Sequence, residues 1–273
     1  MPINTINAMT SAEISNMTSD QLNNLSTSQI GNIKLSNLTT TQISQINTTN
    51  VSYFTKLNNL GSAQLRALTT DQLNSIATSV IKKLNVIDVQ RLSTTQVSGL
   101  DAAHLTSVKS LSLYNSAQLG SIGSGLQNIP ATSFKQFTPK QMPGLTVNQV
   151  ANLTTTQIGN LVPGSFNALT TTQFDALLST QIVGITKAQF NSMDAVDLQA
   201  LGTDIVGMTS MQLVNISPAK FKELTSNQIS NFTTKQIDKI TPKQFKSMSL
   251  NQMVSLFTSQ INAINTMQIK QIP

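Results

Sequence analysis

Side chains that could take part in catalysis or metal binding are few in this chain of 273 residues. The only histidine is His104 and cysteine is absent, which excludes disulfides, thiol chemistry and a His-rich or cysteine-based zinc site. Acidic residues are scattered, and Asp88, Asp197 and Asp204 each directly precede a large apolar residue. We interpret them as helix-start residues, which the helix dipole favours. The sequence therefore predicts neither an enzyme nor a bound metal or cofactor.

An eight-residue repeat, Leu-Thr-x-x-Gln-Ile-x-x, organises almost all of the other residues. We call the apolar residue after the Gln position the anchor of each copy. The sequence contains 35 such anchors, from Ile6 to Ile269, and 29 of the 34 steps between them are eight residues. The residue three after the anchor is apolar in 33 copies, the exceptions being Thr41 and Ser116. A short regular period of this kind is typical of a solenoid.

The repeat predicts one short helix per copy. Residues three apart share a face of a helix but point to opposite faces of a strand. Thr followed three residues later by Gln is the capping-box pattern, with Gln in 20 copies and Glu13 in one more. His104 occupies the Gln position of its own copy, where we interpret it as a substitute for that glutamine. The alternative is a β-solenoid, since threonine and isoleucine also suit strands.

Proline and aspartate at the proposed helix starts support the helical interpretation. Thr138-Pro139, Ser217-Pro218 and Thr241-Pro242 place proline at the first helical position, where its missing N–H is not needed. Asp101 and Asp194 stand at the cap position of their copies, and aspartate is a preferred cap.

No single copy is expected to be stable alone. Two buried apolar side chains contribute roughly 3–6 kcal/mol, whereas ordering eight backbone residues costs on the order of 8–16 kcal/mol. We therefore predict an all-α solenoid of very short capped helices forming one domain over residues 1–273. The register shortens at 38–43, 51–57, 113–126 and 198–205. The glycine-rich stretch 121–128 lies at one of these shortenings and matches no nucleotide-binding fingerprint.

The surface is expected to be polar but weakly charged. Charged residues are only 10% of the chain, and the net charge is +6. A lysine-rich stretch supplies much of the positive charge, and we interpret it as a solvated face rather than a nucleic-acid site because aromatic residues are few. Its members are Lys220, Lys222, Lys235, Lys239, Lys243 and Lys246. No segment has the ~18–20 apolar residues needed to span a bilayer, and the N-terminal MPINTINAMT lacks the features of a signal peptide.

The repeat continues to both ends of the sequence. Solenoids usually carry atypical terminal copies with a polar outer face, but here the first copy holds Ile3, Ile6 and Met9 and the last holds Ile269 and Ile272. Head-to-tail contacts that do not close into a ring generate filaments. We therefore predict a structural protein whose partner is itself. The alternatives are a solenoid that binds a protein, a glycan or a cell surface, and an ice-binding threonine array.

The copies LTTTQIGN and LTTDQLNS resemble octapeptide repeats of large bacterial secreted and cell-surface proteins. The resemblance covers almost the whole chain but is specific to the repeat and not to an activity. It implies an adhesive or structural role and an extracellular or cell-surface location. The missing signal peptide implies another export route or a cytoplasmic location.

Overall fold

A computed structural model describes residue 6 and residues 8–271, and the chain divides into two compact units, Met1–Ile129 and Pro130–Pro273. The described residues form short helices and no strand, which confirms the all-α prediction and is against the β-solenoid. The first unit contains α1 (Ser11–Ser15), α2 (Ser19–Asn23), α3 (Thr27–Asn32), α4 (Thr40–Gln45), α5 (Thr48–Val51), α6 (Ser62–Ala67), α7 (Thr70–Ser75), α8 (Thr78–Ile81), α9 (Val86–Arg91), α10 (Thr94–Ser98), α11 (Ala102–Ser107) and α12 (Ser116–Ser121).

The second unit has the same kind of element. It contains α13 (Val147–Ala151), α14 (Thr155–Asn160), α15 (Pro163–Phe166), α16 (Thr171–Asp175), α17 (Ser179–Ile182), α18 (Lys187–Ser192), α19 (Ala195–Ala200), α20 (Ser210–Asn215), α21 (Pro218–Lys222), α22 (Ser226–Ser230), α23 (Thr234–Lys239), α24 (Pro242–Ser247), α25 (Leu250–Val254), α26 (Thr258–Ile261) and α27 (Thr266–Ile269). That the whole chain is a single solenoid stays a prediction.

The capping box determines where these helices begin. In α14, for example, the Thr154 hydroxyl accepts the backbone N–H of Gln157 at 3.2 Å, and the Gln157 side chain accepts the backbone N–H of Thr154 at 3.0 Å. Asp101 and Asp194 cap α11 and α19, as predicted. Proline is the first residue of α21 and α24, again as predicted. After Thr138, however, the chain forms a turn and not a helix.

Segments of 3-10 helix replace the α-helix at each shortened step. A 3-10 turn closes with fewer residues, so it suits a copy that has lost part of its length. These segments are Leu35–Asn37, Leu57–Asn59, Leu111–Leu113, Gly123–Asn128 and Gly202–Gly207, and two further ones, Ala131–Gln136 and Met142–Gly144, occur in copies of full length. Gly123 and Gly202 adopt φ of +61° and +51°, which ends the preceding helix and favours glycine.

Two anchors assigned from the sequence are wrong. Leu35, not Leu38, is the anchor of its copy, because Leu35 is buried and closes a 3-10 turn with buried Leu38. Likewise Leu111 is the anchor in place of Leu113, and the residue three after it is buried Tyr114. The shortenings assigned to 38–43 and 113–119 therefore lie at 30–35 and 105–111. With this correction, every copy has an apolar residue three after its anchor, and Thr41 and Ser116 are no longer exceptions.

Within each unit the helices stack as the turns of a coil. Helix α21 packs on α24, which lies three copies later, and α24 packs on α27 after another three. Side-chain hydrogen bonds reach back four copies. Gln244, for example, belongs to the copy with anchor Phe245 and donates to the carbonyl of Leu213, the anchor four copies earlier. Each turn therefore holds between three and four copies. The anchors fill the inside of the coil, and each one from Phe134 to Phe245 is at most 1% exposed.

Candidate functional site: the glutamine ladder and the end surfaces

The polar side chain that recurs most often in the repeat is a buried glutamine, and it makes hydrogen bonds in two directions. In α18, Oε1 of Gln189 accepts the N–H of Thr186 at 2.7 Å, which caps its own helix. Nε2 of the same amide donates to the carbonyls of Ile158 and Leu161, at 2.8 and 2.9 Å, in the preceding turn. Gln189 is fully buried. One side chain thus begins a helix and joins it to the turn before.

This arrangement recurs along both units, and we call it the glutamine ladder. The acceptors belong to the copy four before the glutamine. They are the carbonyl of that copy's anchor and the carbonyl three residues later, or the carbonyl of a residue next to one of these. The glutamines for which such bonds occur are Gln42, Gln64, Gln72, Gln96, Gln118, Gln173, Gln181, Gln189, Gln212, Gln228, Gln236, Gln244, Gln252, Gln260 and Gln268. Buried backbone carbonyls need partners, so the ladder holds successive turns together.

Other donors replace glutamine without loss of the cross-turn bond. Asn50 donates to the Leu22 and Asn23 carbonyls, and Ser165 donates to that of Phe137. Nζ of Lys220 donates to the Met193 carbonyl. His104 follows the same rule, because its Nε2 lies 2.8 Å from the Ile76 carbonyl.

His104 keeps the cross-turn contact of the glutamine but not its capping bond, because the Asp101 backbone N–H bonds Oδ1 of Asn74 at 3.2 Å. Nδ1 of His104 lies 2.8 Å from the Asp101 carboxylate, which also accepts the His104 backbone N–H. That backbone hydrogen bond is the main reason why the pKa of Asp101 lies below its usual value. Both ring nitrogens face oxygen acceptors, so the imidazole is used for bonding within the fold. His104 thus takes the place of glutamine in the cross-turn contact alone.

Carboxylates at the Gln position cannot donate and so interrupt the ladder. Asp197 accepts no cap N–H from Asp194; instead its own backbone N–H bonds the Asp194 carboxylate at 2.8 Å. Burial, followed by the neighbouring charge of Asp194, raises the pKa of Asp197. Asp204 differs, because its carboxylate accepts the Ser179 N–H of the preceding turn at 2.7 Å.

Replacing Asp197 with glutamine should stabilise the chain. Gln189 donates to carbonyls 31 and 28 residues before it. An amide at position 197 has the carbonyls of Phe166 and Leu169 at the same separations and should donate to them. We expect a gain of about 1 kcal/mol at pH 7, measured by urea unfolding followed by circular dichroism. Because the folded-state pKa of Asp197 is raised, its charge opposes folding above that pKa and stops doing so as the pH falls below it. The gain should therefore shrink in acid.

The matched control is Asp175→Gln, which removes the same charge from an exposed residue. We expect it to change the free energy of unfolding by less than about 0.5 kcal/mol. An Asp197→Gln variant no more stable than this control would show that the amide makes no cross-turn bond.

The cross-turn bond was missed in the sequence, although a signal was present. Glutamate forms a capping box as well as glutamine does, yet the repeat has Gln in 20 copies and Glu in one. A preference for the amide over the carboxylate indicates that its N–H groups are used. The one glutamate, Glu13, lies in the first turn of the described chain, where its carboxylate caps Thr10 at 2.7 Å.

The first turn presents a concave surface at the N-terminal end of its unit. We call this depression, of about 620 Å³, the N-terminal surface, and it includes Met9, Glu13, Met17, Gln21 and Leu25. Gln21 is exposed, and while its Oε1 caps Thr18, its Nε2 donates to no carbonyl of the described chain. Of the predicted end residues, Met9 lines this surface, Ile6 is buried at 2% exposure, and Ile3 lies outside the described residues.

The last helices present an apolar surface at the C-terminal end of the second unit. Ile261 and Ile269 are anchors, yet each is 52% exposed, and Phe257 is 63% exposed. The other exposed apolar residues of these helices, such as Phe257 and Met267, stand at positions that are exposed in interior copies too, as Leu178 and Met211 show. We therefore call the two exposed anchors, Ile261 and Ile269, the C-terminal surface. The predicted end residue Ile269 belongs to it, whereas Ile272 lies outside the described residues.

The ladder also stops at this end. The last described acceptors are the Ile237 and Ile240 carbonyls, which bond Gln268. No described glutamine donates to the carbonyls at the matching positions that follow, which are those of Phe245, Met248, Met253, Leu256, Ile261 and Ile264. In the described chain, carbonyls that receive no glutamine amide therefore lie at one end, and a glutamine amide that donates to no carbonyl lies at the other.

The described residues contain no group of three or more His, Asp or Glu side chains placed to hold a metal ion. None of the helices in the described part is long and apolar enough to cross a membrane. No family model matches the chain, and no curated protein shows significant sequence similarity to it. The resemblance to bacterial surface repeats and the absence of enzyme activity thus stay predictions.

Proposed function

We propose that the chain is a structural subunit that stacks end to end, the N-terminal surface of one copy covering the C-terminal surface of the next. The observation that carries the proposal is the exposure of Ile261 and Ile269, since every anchor from Phe134 to Phe245 is at most 1% exposed. Covering an aliphatic or aromatic side chain completely is worth roughly 1.5–3 kcal/mol. Two half-exposed anchors at this end therefore favour association.

Hydrogen bonding makes the two surfaces complementary. In each coil, an amide of one turn meets two carbonyls of the turn before it. Among the described residues, Nε2 of Gln21 donates to no carbonyl, and the ladder carbonyls after Ile240 receive no glutamine amide, so the same groups stand on two different ends. A second copy would thus continue the packing already used inside each unit, and a heterologous contact of this kind extends without closing unless its rotation closes a ring.

Glu13 limits the strength of this contact. Its carboxylate stands where other copies have the donor amide, so in a stack it would face carbonyl oxygens. The pKa of Glu13 is lowered by the backbone N–H and hydroxyl of Thr10, which keeps the carboxylate charged at neutral pH. Stacking should then be reversible and dependent on concentration.

The test is the mean mass measured by light scattering as the concentration of the purified chain is raised, with electron microscopy of the product. Glu13→Gln should lower the concentration at which assembly begins, because it adds a donor to the N-terminal surface. The double variant Ile261→Lys, Ile269→Lys should remain monomeric, because it places two charges in the contact. Compact monomers of the unmodified chain at every concentration would refute the proposal.

Ile87→Lys is the matched control. Ile87 is 59% exposed, similar to Ile261, but lies in α9, away from both end surfaces. We expect it to assemble like the unmodified chain. If it prevents assembly as strongly as the end variants do, association is a general effect of exposed apolar residues and not of the ends.

The ice-binding alternative has less support from the same geometry. It requires threonines at the same position of successive helices along one side of the coil. The first helical residue is threonine in α16 and α27, but it is Ala195 in α19, Pro218 in α21 and Pro242 in α24. An extracellular or cell-surface location belongs to our proposal on the strength of the octapeptide resemblance alone.

A further inference from the structure

Three lysines occupy the same position in three consecutively stacked helices of the second unit. Lys222, Lys246 and Lys270 each directly follow the anchor of their copy and are 24 residues apart. Helix α21 packs on α24 and α24 packs on α27, so the three residues stand one above another on one side of the coil. All three are exposed. We call this row the lysine column.

The lysine column has an unbalanced positive charge. From residue 218 onwards the sequence has seven lysines and two acidic residues, Glu223 and Asp238. Both carboxylates are already engaged, Glu223 with Lys220 and Asp238 with Lys239 at 2.8 Å. No carboxylate of the described chain pairs with the column lysines, or with Lys243, which lies on α24 three residues before Lys246. The remaining charge can therefore be neutralised from outside.

We infer that the lysine column binds a linear acidic polysaccharide that runs along the stack. Helices in contact lie roughly 8–10 Å apart, so the three lysines follow one another at about that interval along the stack. A polymer of alternating neutral and uronic acid sugars has one carboxylate per disaccharide, a repeat of comparable length. Lysine ammonium groups on flexible stems act as point charges, which suits carboxylates spaced along a chain.

Other polyanions fit this surface less well. Single-stranded nucleic acid is held by aromatic side chains that stack on bases, but Phe221 and Phe245, the aromatic residues of α21 and α24, are at most 1% exposed. Arginine, which recognises phosphate with two parallel hydrogen bonds, is absent after Arg91. A single row of amines also matches one polymer strand better than the plane of a lipid surface.

The experiment measures binding of hyaluronan, a polymer of alternating glucuronate and N-acetylglucosamine, to the whole chain by biolayer interferometry. The triple variant Lys222→Gln, Lys246→Gln, Lys270→Gln should bind roughly tenfold more weakly, since each exposed ion pair contributes modestly. Binding should also weaken as salt is added. Hyaluronan with its carboxylates converted to methyl esters has the same backbone without charge and should not bind.

The matched control is Lys82→Gln, Lys83→Gln, Lys109→Gln, which removes the same charge from exposed lysines of the first unit. It should bind hyaluronan within about twofold of the unmodified chain. The inference is overturned if both triple variants lose the same affinity, if the methyl ester binds as well as the acid, or if oligo(dT) or phosphatidylglycerol vesicles bind the column more tightly than hyaluronan does. Circular dichroism of each variant separates loss of binding from loss of fold.

Discussion

Gln189→Glu is expected to destabilise the chain by roughly 3 kcal/mol or more, although it changes one atom type. The new carboxylate keeps the acceptor for the Thr186 N–H but turns an oxygen toward the Ile158 and Leu161 carbonyls. Gln189 is fully buried, and none of its bonded neighbours is a cation. The variant thus buries a charge against two partial negative charges. The midpoint of urea unfolding, followed by circular dichroism at neutral pH, measures the effect.

The same change at Gln21 is the control, because Gln21 caps its helix but donates to no carbonyl of the described chain. Gln21→Glu should change the stability of the monomer by less than about 0.5 kcal/mol, as is usual for exposed residues. Lowering the pH should also recover part of the loss in Gln189→Glu, since a protonated carboxyl regains one donor. Equal destabilisation by the two variants would show that the ladder does not hold the turns together.

Much of the local structure follows from single copies. A threonine three residues before glutamine determines the start of a helix, and two apolar residues three apart determine its buried face, so the helices and their caps could be predicted from the sequence. The same reasoning failed after Thr138, where proline follows the threonine but the chain forms a turn. Proline at a first helical position is compatible with a helix but does not impose one.

The relation between turns could not be predicted in the same way. The number of copies per turn depends on how successive helices pack, and it cannot be derived from the residues of a single copy. The anchors Leu38 and Leu113 were misassigned because a leucine three residues away, Leu35, or two residues away, Leu111, satisfies the same pattern. Burial distinguishes Leu111 from Leu113, which is only half-buried. Leu35 is distinguished from Leu38 by the hydrogen bond from the Leu38 N–H to the Leu35 carbonyl, the bond that an anchor accepts in other copies.

The two ends show a second effect that only stacking reveals. Ile6 and Ile269 are the anchors of the first and last copies, and the sequence pattern predicts the same burial for both. In the structure, Ile6 is 2% exposed, whereas Ile269 is 52% exposed. The coil of each unit is directional, because each amide reaches back to the preceding turn, so the two ends of a coil cannot present the same surface. The head-to-tail contact that we propose uses this asymmetry.

Gly207→Ala should separate two turns of the second unit and destabilise it by about 3 kcal/mol, the upper end for overpacking. A Cβ placed on Gly207 would lie 1.9 Å from the Ser179 carbonyl oxygen and 2.6 Å from its carbonyl carbon. These are backbone atoms of α17, which packs on the 3-10 segment Gly202–Gly207, so no side-chain rotation relieves the clash. The shift should also weaken the hydrogen bond from the Ser179 N–H to Asp204.

Gly164→Ala is the control for this prediction, because the added Cβ would meet only the Pro139 Cγ at 3.9 Å, an ordinary contact. Gly164 lies in helix α15, where alanine is favoured over glycine by up to about 1 kcal/mol, so this variant should be as stable as the unmodified chain or more so. Hydrogen exchange of the α17 amides locates the effect: Gly207→Ala should accelerate it and Gly164→Ala should not. If α17 is equally protected in both variants, the close approach of these two turns is not a requirement of the fold.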